Sequence, residues 1–122
     1  MRRDPQLIRM LMLDLELATS TVTNSNIKID GYTDDEIKYH LNQIIDAGFA
    51  VGNVIHGQMG AVVPAVVVVS RLTSAGHDFI DSTREDTVWN AVTTKVTETG
   101  GGFTLDLLRQ LALKVLLAHV GL

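Results

Sequence analysis

Cysteine is absent from the 122-residue chain, which excludes disulfides and thiolate metal sites and suits a reducing cytoplasm. The opening MRRDPQ has no apolar signal core, because Asp4 and Pro5 follow the arginines at once. No segment is long and uncharged enough to read as a membrane span. Neither G-x-S-x-G nor H-E-x-x-H occurs, and the four histidines, His40, His56, His77 and His119, are scattered. Positive charge is scarce, with 10 Lys and Arg against 14 Asp and Glu. The net charge of −4 offers no bulk attraction to nucleic acid or to an anionic membrane. The expectation is a cytoplasmic protein that is not an enzyme and has no cofactor, metal or membrane partner.

What is present is apolar. Hydrophobic residues make up 46% and charged residues 20%, which argues against disorder. The length suits a single domain over 1–122. The stretch that organises it is YTDDEIKYHLNQIIDAGF, Tyr32 to Phe49. Ile37, Leu41, Ile44, Ile45 and Gly48 recur on one helical stripe. Thr33 and Glu36 form a capping box, Asp34 and Asp35 suit the helix N-terminus, and Gly48 supplies the stop.

Before this helix, Asp4 and Pro5 start another, with Leu7, Leu11, Leu15 and Ala18 as its buried stripe. Residues 19–26 read as a polar loop, and Ile27 to Asp30 as a short strand closed by Gly31. A helix-turn-helix would have a further helix here, so the motif is degenerate. After it, Phe49 to Ser70 reads as a β-hairpin wing without a single Lys, Arg, Asp or Glu, its tip near His56 to Gly60. Ala61 to Val69 is almost unbroken Val and Ala around Pro64, a run that calls for cover on both faces. Thr73 caps a helix carrying Ala75, Phe79, Ile80 and Thr83. Asp86 caps the next, with Val88, Trp89, Val92 and Val96. Three glycines, 100 to 102, break the chain, and Thr104 caps a last helix running to Val120 that is apolar almost all round. The fold class expected is α+β: a winged-helix-like core over 1–84 and a C-terminal helical extension over 85–122 that serves oligomerisation.

RRDPQLIRMLML, IDGYTDDEIKYHLNQIIDAGF, RLTSAGHDFIDSTREDTVWNAV and TGGGFTLDLLRQLALKVLL together resemble a family of bacterial and phage hypothetical proteins, domain of unknown function 2513. The likeness spans nearly the whole chain except the wing, and GHDFIDSTREDTVWNAV is its most specific piece. The resemblance implies phage-derived or mobile genes and brings no activity, cofactor or catalytic residue. RLTSAGHDFI is also similar to the strand-to-helix junction of larger winged-helix regulators, although Ser74 and Ala75 stand where an aromatic is common.

Two kinds of contact surface follow. Lys38, Tyr39, Asn42 and Gln43 on the central helix are candidate contacts to nucleic acid or to a protein partner, and Asn42 and Gln43 suit adenine. Four acids (Asp34, Asp35, Glu36, Asp46) against Lys38 alone count against phosphate binding. Leu107, Leu113 and Leu117 on the last helix, with Val66 and Val68 on the valine strand, are candidate oligomer contacts. His77-Asp78 reads as a solvated helix face, and Gly100 to Gly102 lacks the Lys-Ser/Thr of a phosphate loop. The functional expectation is a non-enzymatic interaction or regulatory module forming a homodimer, with an unidentified protein as further partner. The alternative is a winged-helix DNA-binding transcriptional regulator.

Overall fold

Asp4 opens the first helix, its Oδ1 accepting from the N–H groups of Gln6 and Leu7 (2.9 and 3.4 Å), with Pro5 at the first helical position. In the computed structural model, which describes all 122 residues, this helix, α1, spans Pro5–Leu17. It is followed by β1 (Val22–Thr23), a 3-10 turn (Asn24–Asn26), α2 (Asp34–Asp46), β2 (Ala50–Ile55), β3 (Val66–Leu72), α3 (Ser74–Thr83), α4 (Asp86–Glu98) and α5 (Leu105–His119). The protein is α+β: five α-helices and one three-stranded antiparallel sheet of order β1-β3-β2. It resolves into two compact units, residues 1–77 and 78–122, whose boundary falls inside α3.

In the first unit, α1 buries Leu7, Ile8, Leu11, Met12 and Leu15. Ala18, expected on that stripe, is exposed and extended as the C-cap, so the helix stops a residue earlier. α2 buries Ile37, His40, Leu41 and Ile44. Its capping box forms as expected: Glu36 N–H donates to Thr33 Oγ1 (3.1 Å) and Thr33 N–H to Glu36 Oε1 (3.0 Å). Gly48, at φ 81°, then reverses the chain into β2, a backbone setting that favours glycine.

The short strand lies earlier than expected. Val22 and Thr23 pair with Val69 and Val68, while Ile27 to Asp30 carry no ladder. The reason is Asn24, buried, whose Oδ1 accepts from Val67 N–H (3.0 Å) and whose Nδ2 donates to Asp34 Oδ1 (3.0 Å). That side chain takes the β3 group a longer β1 would have used and ties the sheet to the first turn of α2. Ile27 then enters the core as a single buried side chain rather than as part of an alternating strand.

β3 is also shorter than the valine run. Residues 61–65 are irregular, with Pro64 buried, and pairing begins at Val66 opposite Ile55. Within the strand, Val67 and Val69 are buried and Val66 and Val68 only half-buried, so one face lies on the core and the other is open. Gly52 sits at an irregularity in the β2 register, where an added Cβ would run into the Val68 carbonyl oxygen.

In the second unit, α4 buries Val88, Trp89, Val92 and Val96, and the Phe79 ring meets Trp89 edge-on at 6.4 Å. Asp86 is the first helical residue rather than the cap, a place Glu85 holds without a side-chain bond. Gly100 and Gly101 take positive φ, and Thr104 Oγ1 caps α5 through Leu107 N–H (3.0 Å).

Candidate functional site

The polar side of α2 is largely engaged within the protein. Lys38 Nζ lies 3.4 Å from both Asp34 and Asp35, and its side chain is only 14% exposed. Gln43 Oε1 accepts from Arg3 Nε at 2.9 Å. Tyr39 is half-buried, its ring edge-on to His40 at 5.3 Å, and Asn42 is half-buried too. Of these candidate contacts, Lys38 and Gln43 thus have partners within the protein, and Tyr39 and Asn42 are half-buried.

Beside them, Asp4, Tyr32 and His40 form one network. Asp4 N–H donates to His40 Nε2 (2.8 Å), which leaves Nδ1 as the protonated nitrogen, donating to the Glu36 carbonyl (2.7 Å). Tyr32 Oη donates to Asp4 Oδ2 (2.7 Å). Desolvation, then this bond, and then the charges of Asp4 and Glu36 push the phenol up to about 12. Every polar atom here serves to fix the start of α1 against α2, which makes His40 a structural histidine. No set of three or more His, Asp or Glu side chains gathers at metal-binding separation, and each buried side-chain N or O atom has a partner.

The sheet is different. On its open face, Ile55 lies opposite Val66, and Asn53 opposite Val68. Ile55 is 52% exposed, so the patch containing Val66 and Val68 extends onto β2, and Val51, 42% exposed further along the same face, lies opposite Arg71. Sequence reasoning named Val66 and Val68 and missed Val51 and Ile55. The signal was the alternation in AVGNVI, where residues 51, 53 and 55 share a face. β2 is a sheet edge without a single charged side chain. Besides its two carboxylate partners, Lys38 Nζ reaches the Ala65 carbonyl just before β3, at 3.5 Å.

In the second unit, Leu113 and Leu117 on α5 are 49% and 40% exposed, one turn apart, and Val120 continues the line. Leu107 is 38% exposed but sits on another side of the axis. Asp106, bonded by Arg109 (2.9 Å) and Gln110 (2.6 Å), stays below the usual carboxylate range and marks the polar start of the helix.

Fold and surface define a small α+β protein with an uncharged sheet edge. It belongs to the family described as "Hypothetical protein (DUF2513)", which matches residues 2–102. It is similar to an uncharacterized protein of Haemophilus influenzae, 27% identical over 115 residues and covering 92% of each chain. No solved structure matches it. No helix is long and apolar enough to cross a membrane.

Proposed function

We propose that this protein is a non-enzymatic interaction module of bacterial or phage origin, working in the cytoplasm, that self-associates as a dimer. Its first unit is winged-helix-like, with the 3-10 turn at Asn24–Asn26 in place of the middle helix and the β2–β3 hairpin as the wing. The observation that supports this reading is where apolar side chains meet water. Ile55, Val66 and Val68 form an open patch on a hairpin whose one charged side chain, Arg71, lies opposite the exposed Val51, in a chain whose candidate reading helix has committed Lys38 and Gln43 to internal partners. Leu113 and Leu117 offer a second apolar surface on the other unit.

Light scattering at micromolar concentration tests it. A mass of twice 13.3 kDa is expected, and a mass of 13.3 kDa refutes self-association. The DNA-regulator reading draws support from the order helix, strand, turn, helix, hairpin. Fluorescence anisotropy on duplex DNA separates the two: nanomolar binding at physiological salt would replace the interaction module by a regulator.

A further inference from the structure

Which groups β2 turns outward can be worked out from its neighbour. Val67 N–H donates to Asn24 Oδ1 on the β1 side, so the flanking Val66 and Val68 direct their N–H and C=O groups toward β2. There they sit opposite Ile55 and Asn53, and Ile55 C=O also accepts from Ala65 N–H at 2.9 Å. By the alternation of an antiparallel ladder, Gly52 and Val54 point their backbone groups away from β3, along the outer edge. Along that edge Ala50–Ile55 contains no Lys, no other charge and no Pro, and the register irregularity at Val51/Gly52 is the one feature that interrupts it.

We propose that a second copy of this chain adds its own β2 to this edge, antiparallel, about a two-fold axis through Asn53. The inference rests on the self-association proposed above and names its geometry. With the axis at Asn53, Gly52 exchanges both backbone bonds with Val54 of the second copy, and Val54 with its Gly52. Asn53 faces Asn53, amide to amide, and each exposed Val51 faces an exposed Ile55. Moving the axis to Gly52 sets Val51 against Asn53, and moving it to Val54 sets Asn53 against Ile55. The Asn53 axis alone pairs like with like, apolar with apolar and amide with amide. The same strand meets itself, so one isologous contact covers both edges and joins two three-stranded sheets into one. The absence of charge from residues 49–70 removes the like-charge repulsion that such self-pairing would otherwise suffer.

The missing cysteines make the test direct. Asn53 would form a non-hydrogen-bonded pair with its own copy, Cα atoms about 4.5 Å apart, within the span a disulfide bridges. Under mild oxidation Asn53→Cys should run as a covalent dimer on a non-reducing gel. Val51→Cys should stay single, because its own copy lies several residues away, and the double variant Val51→Cys with Ile55→Cys should cross-link again. Asn53→Lys, an exposed substitution, should keep the wild-type circular dichroism spectrum and lose the dimer mass. A wild-type dimer in which Asn53→Cys stays uncrosslinked, or Asn53→Lys remains dimeric, overturns the edge pairing and leaves self-association standing. Cross-linking of Val51→Cys alone overturns the register. A wild-type monomer overturns both proposals.

Discussion

Gly76, buried in the first turn of α3, sits against the backbone between α2 and β2. A Cβ there would run into the Phe49 carbonyl oxygen and reach 3.4 Å from the Met12 methyl. That carbonyl is already the acceptor for Thr73 N–H (2.9 Å), while Thr73 Oγ1 donates to Gly48 C=O (2.5 Å) and accepts from Gly76 N–H (3.1 Å). Thr73 thus closes the turn after α2 and caps α3 with one side chain. In an open helix, glycine to alanine gains about 1 kcal/mol. At Gly76 the methyl group must displace backbone rather than a flexible side chain, which costs about 1–3 kcal/mol. Loosening the Thr73–Phe49 bond costs about 1 kcal/mol more. The sum predicts that Gly76→Ala destabilises the protein by about 1–3 kcal/mol. Gly102→Ala, with nothing within 4 Å and no positive φ, should be neutral or gain about 0.4–1 kcal/mol. Urea denaturation followed by circular dichroism measures both. A Gly76→Ala midpoint at or above the wild type would refute the close approach.

Leu41 is fully buried, so Leu41→Ala should cost about 2–5 kcal/mol, whereas Tyr39→Ala, losing its edge contact with His40, should cost about 1 kcal/mol. Equal losses in thermal melts would mean α2 is phased wrongly. Tyr32 is held protonated in the folded state, from 10.0 up to about 12, so its contribution is complete below pH 10 and is lost as pH rises toward 12. Tyr32→Phe should remove about 1 kcal/mol and flatten the decline across that window, and stability curves of the two proteins that stay parallel there would refute the assignment.

The caps of α1, α2 and α5 and the stripe of α2 were legible because their partners lie within a few residues: Asp4 with Gln6, Thr33 with Glu36, Thr104 with Leu107. What was not legible depends on residues far apart in the chain. β1 exists because Val69 and Val68 supply its ladder, and it ends because Asn24 bonds Val67, 43 residues on. Local alternation at Ile27 to Asp30 carried the same strand signal without a partner to pair with, which is how context overrides β propensity. The candidate surface divides the same way. Val66 and Val68 stood out as part of a valine run, but Ile55 joined the patch only once register placed it opposite Val66, while Val51 lies opposite Arg71. The engagement of Gln43 by Arg3, 40 residues away, was likewise beyond any local reading.

On α2 it matters which feature turns a phosphate away. The two ion pairs of Lys38 are between a helix cation and half-exposed carboxylates, and each is worth about 0.3–0.5 kcal/mol. A nucleic acid could release Lys38 at that small cost, so the pairing alone does not protect the helix. The acids remain after the release. Asp34, Asp35 and Glu36 occupy the first turn, and at about 6 Å in water each repels a phosphate by about 0.7 kcal/mol, together about 2 kcal/mol. That exceeds what a single surface lysine returns. The helix N-terminus, ordinarily a place for an anion, is already occupied by the protein's own carboxylates and the Thr33–Glu36 box. In the proposed interaction module, repulsion from fixed acids, more than sequestration of one base, disfavours nucleic acid at this surface, and the uncharged strand β2 is the part of the first unit offered to another chain.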